Sequence, residues 1–88
     1  VKALIREGAR RVDANENISM DASCAKMFAA EMAGRVVDRA VQIYGGSGYI
    51  VGTIAERLYR DARLFRIYEG TTQIQQITIA KHMLRALA

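Results

Sequence analysis

The chain has 88 residues, of which 51% are hydrophobic and 25% charged, with no proline, no tryptophan and a net charge of +4. This length leaves no room for a second domain, and the balance of apolar and charged residues excludes a disordered chain. A single cysteine, Cys24, and a single histidine, His82, exclude an intramolecular disulfide and a zinc site, so we expect a buried or half-buried Cys24 and a solvated His82.

The first predicted helix covers residues 1–13, where apolar and small side chains recur at helical spacing. The polar stretch 15–17 predicts a turn into the next element. Ser19 then offers a side-chain oxygen as the N-cap of a second helix, and Asp21 lies in its first turn, where the helix dipole favours negative charge. The chain begins at Val1 with neither a methionine nor a signal-peptide pattern, so we expect a truncated sequence.

A long second helix is predicted from Met20 to Tyr44. Its apolar positions fall three or four residues apart and line one face: Ala25, Phe28, Ala29, Met32, Val36, Ala40, Ile43 and Tyr44. Glu31 and Arg35 have the i,i+4 order of a stabilising ion pair. The helix is predicted to end at the glycine-rich stretch 45–48, because glycine adopts the left-handed conformation that closes helices.

Two further helices complete the predicted fold. Residues 53–56 have the spacing of a capping box, which predicts a third helix from there to about Phe65, with Ile54, Leu58, Ala62 and Phe65 as its apolar stripe. A connection over 66–70 leads to a final helix that begins at Thr71 or Thr72. The side chains expected to turn inward from it are Ile74, Ile77, Ala80, Met83, Leu84 and Leu87. The sequence therefore predicts an all-α helical bundle, with 49–51 as its one brief strand candidate.

Two segments, 42–49 and 67–75, place glycine at a helix boundary beside polar side chains. The first is not a P-loop, because no Lys-Ser or Lys-Thr follows its glycines. Its spacing alone suits an ordinary helix end, although glycine N–H groups also allow close approach of a phosphate. In the second, Glu69 suits an acid near the positive end of a helix dipole, with Thr71 or Thr72 as cap. Polar groups at such a helix start also suit a ligand.

Three motifs together resemble the acyl-CoA dehydrogenase family in composition, order and separation. They are Ala40-Val41-Gln42-Ile43-Tyr44-Gly45-Gly46 with Gly48-Tyr49, Arg60-Asp61-Ala62-Arg63, and Ile67-Tyr68-Glu69-Gly70-Thr71-Thr72-Gln73-Ile74-Gln75. The stretch Ala25-Lys26-Met27-Phe28-Ala29 extends the resemblance, which covers about Ser19 to the C-terminus and is looser over residues 1–18.

The resemblance implies a fold and an activity. Members of this family have an amino-terminal helical domain, a middle β domain and a carboxy-terminal four-helix bundle, and they usually form homotetramers. The present chain resembles the later part of that bundle, without its first helix. The implied enzyme is FAD-dependent and converts an acyl-CoA thioester to a trans-2-enoyl-CoA, with an electron-transferring flavoprotein as acceptor. We expect the isolated chain to be inactive and the whole protein to lie in the bacterial cytoplasm or the mitochondrial matrix.

The resemblance also implies roles for individual residues. Glu69 matches the catalytic base that removes the α-proton of the substrate, and its backbone N–H, with a ribityl hydroxyl of the flavin, would bind the thioester oxygen. Gly70 would let the chain turn so that the carboxylate and the N–H face the same substrate. Thr71 and Gln73 match positions that contact the flavin at the last helix. The positions that contact the adenine-dinucleotide part of a flavin bound to a neighbouring subunit match Gln42, Gly45 and Gly46.

Two other functions are weighed against this one. A non-catalytic helical module could self-associate through an uncovered face, because a chain this short buries only about 60 to 65% of its unfolded surface. Nucleic-acid binding is suggested by the positive charge and by Arg57, Arg60, Arg63 and Arg66. These arginines lack aromatic stacking platforms and a recognition-helix motif, and a solvated helix face explains them. No apolar run reaches the roughly 18 to 20 residues that cross a bilayer.

Overall fold

The computed structural model describes residues 1–87, which form four α helices and no strand. The helices are α1 (Lys2–Asp13), α2 (Ser19–Tyr44), α3 (Ile54–Arg63) and α4 (Thr72–Leu87). Short 3₁₀ helices, Gly45–Tyr49 and Leu64–Arg66, follow α2 and α3. The predicted all-α fold is confirmed, and the strand candidate at 49–51 is instead the end of a 3₁₀ helix and a turn.

The central element is α2. Its 26 residues extend for about 39 Å at the usual helical rise, and both α3 and α4 pack along it. The α1 helix also contacts α2, and Arg11 Nη1 donates to Asp21 Oδ2 in the first turn of α2 at 2.7 Å. The molecule is therefore elongated, with dimensions of 52 × 25 × 18 Å.

Small side chains occupy the centre of the bundle. The buried side chains are Ser23, Ala30, Ala55, Ala62 and Thr72. No large side chain among residues 1–87 is fully buried. Because helix separation depends on the side chains at the contact, these short residues allow α3 and α4 to lie close to α2.

The apolar face predicted for the last helix is not turned inward in this chain. Ala80 is exposed, and the large side chains of that face are 50% to 84% exposed: Ile74, Ile77, Met83, Leu84 and Leu87. The less exposed side chains of α4 are Thr72, Gln75, Thr78, Ile79 and His82. His82 is thus half-buried rather than solvated, whereas Cys24 is half-buried as expected. Helical periodicity identified an apolar surface, but the helices of this chain pack through smaller and more polar faces.

The large apolar side chains predicted to line α2 and α3 are also mostly uncovered. Exposed members of these two predicted stripes are Phe28, Val36, Ile43, Tyr44, Ile54, Leu58 and Phe65. Ala62 is buried as expected, and Ala55, which lay outside the predicted stripe, is buried beside it. The face of α3 that packs on α2 is therefore the one that carries alanine.

The side-chain caps predicted for the starts of α2 and α3 do not form as expected. Ser19 is the first residue of α2 rather than its N-cap, and its N–H donates to Asn17 Oδ1 at 3.0 Å. Thr53 does lie at the N-cap of α3, but its hydroxyl donates to a backbone carbonyl three residues earlier. Since Glu56 pairs with Arg60 in the next turn, the side-chain hydrogen bonds of a capping box do not form. Asp21 does lie in the first turn of α2, as predicted.

Glycines close α2 at two points. Gly45 follows α2 with a positive φ of 65°, which favours glycine, but its ψ of −143° differs from the left-handed helical conformation predicted for this helix end. Gly48 is buried, and a Cβ there would lie 2.8 Å from Tyr44 Cβ and 2.9 Å from the Val41 carbonyl oxygen. At Gly46, by contrast, a Cβ would meet no atom within 4 Å. The chain therefore needs glycine at position 48 for close packing, and position 46 is sterically open.

Replacing Gly48 by alanine should lower the free energy of unfolding by about 1–3 kcal/mol, because a helix backbone and a Cβ cannot move aside easily. The matched variant Gly46→Ala should change it by less than about 0.5 kcal/mol. Urea denaturation of a full-length protein that carries this chain, followed by circular dichroism, measures both changes. Equal midpoints for the two variants would contradict close packing at position 48.

Candidate functional site

Glu69 lies in the connection between α3 and α4. This connection comprises the 3₁₀ helix Leu64–Arg66 and then residues 67–71. Residues 67–71 are here called the Glu69 loop. The N–H groups of Ile67 and Tyr68 both donate to the Leu64 carbonyl, at 2.9 and 3.2 Å. The chain therefore turns tightly just before Glu69.

The backbone of Glu69 has an unusual conformation. Glu69 and Gly70 both have positive φ, 53° and 89°. Glycine adopts such angles freely, but for glutamate they cost on the order of 1–3 kcal/mol and persist only where the surroundings hold them. Residues of this kind cluster at functional sites. Glu69 is exposed, and its N–H has no hydrogen-bond acceptor among residues 1–87. One residue thus presents both a carboxylate and a free backbone donor.

Lys26 connects the Glu69 loop to α2. Its Nζ donates to the carbonyl oxygens of Phe65, at 2.7 Å, and Gly70, at 2.5 Å. From α4, the side-chain amide of Gln75 lies 3.5 Å from the carbonyl oxygens of Glu69 and Gly70, at the limit of a hydrogen bond. Carbonyl groups at both ends of the loop are therefore held by neighbouring helices.

Glu31, farther along α2, connects the same region through its carboxylate. It accepts hydrogen bonds from the Thr72 hydroxyl at 2.7 Å and from Arg66 Nη1 at 3.3 Å. The hydroxyl of Thr72 and then the charge of Arg66 hold the pKa of Glu31 below its usual value of 4.5, despite partial desolvation. The predicted ion pair of Glu31 with Arg35 is wrong, because the carboxylate turns toward α4 and pairs with Arg66.

Arg66 also departs from the solvated face predicted for the arginine series. Arg57, Arg60 and Arg63 are exposed, as that prediction requires. Arg66 is half-buried, and its Nε is buried without a hydrogen-bond partner among residues 1–87. The guanidinium therefore keeps one unsatisfied donor, which lies near Gly34 of α2.

The start of α4 forms a small polar recess. Thr71 Oγ1 accepts the Ile74 N–H at 3.1 Å and so caps the helix, as predicted. The recess measures about 150 Å³ and is lined by Glu31, Arg63, Arg66, Ile67, Thr71, Thr72 and Gln73. Two arginines and the positive end of a helix suit an oxygen-rich ligand. Sites that enclose a small molecule usually measure about 300–1,000 Å³, so this recess can contact only part of a cofactor.

The structure does not bring all the predicted cofactor residues together. Thr71 and Gln73 lie at the recess, beside the middle of α2. Gln42, Gly45 and Gly46 are exposed near the end of that helix. Fourteen residues separate Glu31 from Gly45, which corresponds to about 21 Å at about 1.5 Å per residue. A single chain therefore presents two separate groups of candidate residues.

The comparisons with known proteins decide the family. The sequence model described as "Acyl-CoA dehydrogenase, C-terminal domain" matches residues 1–84. The chain belongs to this family. The match includes α1, over which the motif resemblance was looser, and it confirms the helical domain predicted from the motifs.

Relatives of the chain include dehydrogenases and reductases. It is 48% identical over 84 residues to a 3-(aryl)acrylate reductase of Clostridium sporogenes, which covers 96% of this chain and 22% of the relative. It is 50% identical over 66 residues to the mitochondrial short-chain specific acyl-CoA dehydrogenase of Homo sapiens, covering 75% of this chain and 16% of the relative. The chain thus spans about a fifth of the length of such relatives, which come from bacteria and from mitochondria.

A solved structure agrees with the fold. It is described as "Electron transferring flavoprotein of Acidaminococcus fermentans: Towards a mechanism of flavin-based electron bifurcation". The superposition has a TM-score of 0.89 with 39% sequence identity, and it covers 96% of this chain and 22% of the solved one.

Neither a cluster of metal ligands nor a membrane-spanning helix is found in the described part of the chain. Within residues 1–87, no three histidine, cysteine, aspartate or glutamate side chains are grouped as metal ligands. None of the helices described is both long and apolar enough to cross a membrane.

Sequence reasoning missed three side chains that shape the candidate site of this acyl-CoA dehydrogenase domain. Lys26, Glu31 and Arg66 hold the Glu69 loop through contacts 35 to 44 residues apart in the chain. Lys26 belongs to a stretch that extended the family resemblance, but no local spacing indicated its partners. The one available signal for these contacts was that Lys26 and Glu31 lie on a helix whose alanines allow close packing.

Protonation of Glu31 should reduce the thermal stability of a full-length protein carrying this chain. Because the folded-state pKa of Glu31 is lowered, its contribution is complete above pH 4.5 and is lost as the pH falls through the lowered value. When the pH is lowered from about 6 to about 3, the melting temperature of Glu31→Gln should therefore fall less than that of the wild type. Differential scanning calorimetry measures the difference.

Glu7→Gln is the matched control for this measurement. Arg10 also lowers the pKa of Glu7, by hydrogen bonding, but both side chains are exposed on α1, where such a pair contributes little. If the two variants changed the pH dependence equally, the contacts of Glu31 with Thr72 and Arg66 would have no special role in stability.

Proposed function

We propose that residues 1–88 form the carboxy-terminal helical domain of an FAD-dependent acyl-CoA dehydrogenase, without the first helix of its bundle, and that Glu69 is the catalytic base. The observation that carries the proposal is the positive φ of Glu69 at the entrance to α4, in a chain that belongs to this family. A solvent-accessible carboxylate held in a strained conformation suits proton transfer better than it suits a structural role.

The proposed reaction begins with proton abstraction beside a thioester carbonyl. The carboxylate of Glu69 takes the α-proton of an acyl-CoA, and negative charge develops on the thioester oxygen. Preorganised donors stabilise such charge, and a lost donor typically costs 10²- to 10³-fold in rate. The free N–H of Glu69 is the donor that this chain offers. Gly70 allows the turn that lets both groups of Glu69 face one substrate.

FAD, when bound, supplies the acceptor for the hydride that leaves the β-carbon. We assign Thr71 and Gln73 to the part of FAD nearest the start of α4. We assign Gln42, Gly45 and Gly46 to the adenine-dinucleotide part of FAD held mainly by a neighbouring subunit. The open backbone at the two glycines and the small recess at α4 support this division. It makes a homo-oligomer, in the family form a tetramer, necessary for a complete site.

The direction of the reaction and its redox partner follow from the same proposal. We assign oxidation to a trans-2-enoyl-CoA, with an electron-transferring flavoprotein as acceptor. One relative is named "Caffeyl-CoA reductase-Etf complex subunit CarC" from Acetobacterium woodii, at 44% identity over 84 residues. In a reductase the same carboxyl, then protonated, would return a proton to the α-carbon, because base and acid are one group in opposite directions. The proposed location is the bacterial cytoplasm or the mitochondrial matrix.

In a full-length enzyme that carries this chain, Glu69→Gln should slow substrate-dependent flavin bleaching by about 10²- to 10⁴-fold, since a general base contributes that much. Bound FAD should be retained, because glutamine keeps the size of the side chain. Anaerobic stopped-flow absorbance measures the bleaching, with Glu16→Gln in an exposed turn as control. Unchanged bleaching in Glu69→Gln would remove Glu69 from its proposed role.

Gly46→Asp should weaken FAD binding by about tenfold or more, because a carboxylate placed against an anionic dinucleotide repels it. Gly8→Asp is the control, since a side chain at Gly8 also meets open space, on α1. Flavin absorbance relative to protein after dialysis measures retention. Equal retention in the two variants would exclude the 45–46 segment from the cofactor site.

A second candidate is a non-catalytic module that self-associates, and the uncovered apolar side chains of α4 favour it. Under this hypothesis the 88-residue chain forms oligomers without FAD or substrate. Sedimentation velocity distinguishes the outcomes, because a compact monomer at all concentrations would count against self-association.

A further inference from the structure

One lysine reaches both ends of the Glu69 loop. Lys26 lies on α2 and is half-buried. Its ammonium donates to the carbonyl oxygen of Phe65, just before the loop, and to that of Gly70, within it. Residues 66–69 therefore lie between two points held by a single positive charge.

The second of these hydrogen bonds acts where the backbone is strained. The Gly70 carbonyl belongs to the residue directly after Glu69, and both residues have positive φ. Such a conformation persists only when surrounding contacts determine it. Hydrogen bonds from a charged donor are roughly twice as strong as neutral ones. The contact of Lys26 with Gly70 is thus well suited to keep Glu69 in this conformation.

Other contacts hold the flanks of the loop more than its strained centre. Glu31 binds Arg66 and Thr72, which lie before and after the loop. The amide of Gln75 lies 3.5 Å from the Glu69 and Gly70 carbonyls, which is a weak geometry. Among the contacts of residues 1–87, Lys26 therefore provides the one short charged hydrogen bond to the strained segment.

We propose that Lys26 is a positioning residue for the catalytic base. It acts through the backbone of Gly70 and holds the carboxylate of Glu69 at the place where the α-proton is removed. This inference rests on the proposed function of Glu69. Lys26 lines an apolar groove together with Ala29, Ala30, Met32, Ala33, Phe65 and Tyr68. Methionine, an unbranched apolar side chain, can therefore take the place of Lys26 in the wall of this groove while removing both hydrogen bonds.

The test uses the full-length FAD-loaded enzyme and anaerobic stopped-flow bleaching with an acyl-CoA. Lys26→Met should lower the limiting bleaching rate by about 10²-fold, because a misplacement of about 1 Å can cost that much. The Kd for acyl-CoA and the FAD content should stay within about twofold, since the groove and the cofactor contacts remain. Lys26→Arg should bleach at least about tenfold faster than Lys26→Met, because a guanidinium also supplies several charged donors. Lys2→Met, exposed on α1, is the matched control and should behave as the wild type.

Two results would overturn the inference. One is a wild-type limiting rate in Lys26→Met. The other is a parallel loss of rate, FAD content and acyl-CoA affinity, which would show that Lys26 merely supports the fold. If Lys26→Met yields no flavoprotein, Lys26→Gln takes its place, because its amide retains a neutral donor and should give an intermediate rate.

Glu69→Gln, measured in parallel, separates the two proposals. If Glu69→Gln is slow and Lys26→Met is normal, the positioning role alone fails. If Glu69→Gln bleaches normally, the proposed function fails, whatever Lys26→Met does.

Discussion

Close approach of α3 and α4 to α2 is the constraint on which the rest of the structure depends. It is possible because alanine, serine and threonine occupy the contacts, with Ala30 on α2 and Ala55 and Ala62 on α3. At this short separation a lysine and a glutamate of α2 reach the connection between the other two helices. Packing of small residues and fixation of the Glu69 loop are therefore parts of one arrangement.

The arrangement also divides the chemistry between places. Open glycine backbone follows the end of α2, and Lys26 and Glu31 in its first half hold the Glu69 loop and its flanks. Under the proposed function, the first place serves the cofactor of one active site and the second supplies the base of another. A single helix sets the distance between them.

Local signals predicted the helices well, because caps, glycines and periodicity act over a few residues. The second helix was predicted as 20–44 and is observed at Ser19–Tyr44, and the last begins at Thr72 as expected. The packing faces were not predictable in this way. The stripe containing Ile74 and Met83 indicates apolar surface, but not whether the partner lies in the same chain. Glu31 pairs with Arg66 and not with Arg35, because tertiary packing places the Thr72 hydroxyl and the Arg66 guanidinium beside its carboxylate. A sequence motif predicted the candidate base, but the contacts of Lys26 and Glu31 around it could be seen only in the structure.

The uncovered large side chains have a calorimetric consequence. The heat-capacity increment of unfolding scales with the apolar area newly exposed to water, and in this chain the side chains that carry most of that area are already in contact with solvent. The 88 residues alone would therefore show a small increment and a broad, weakly cooperative melting transition. Most of the cooperativity associated with these helices would belong to whatever covers them, and would appear only with the larger assembly.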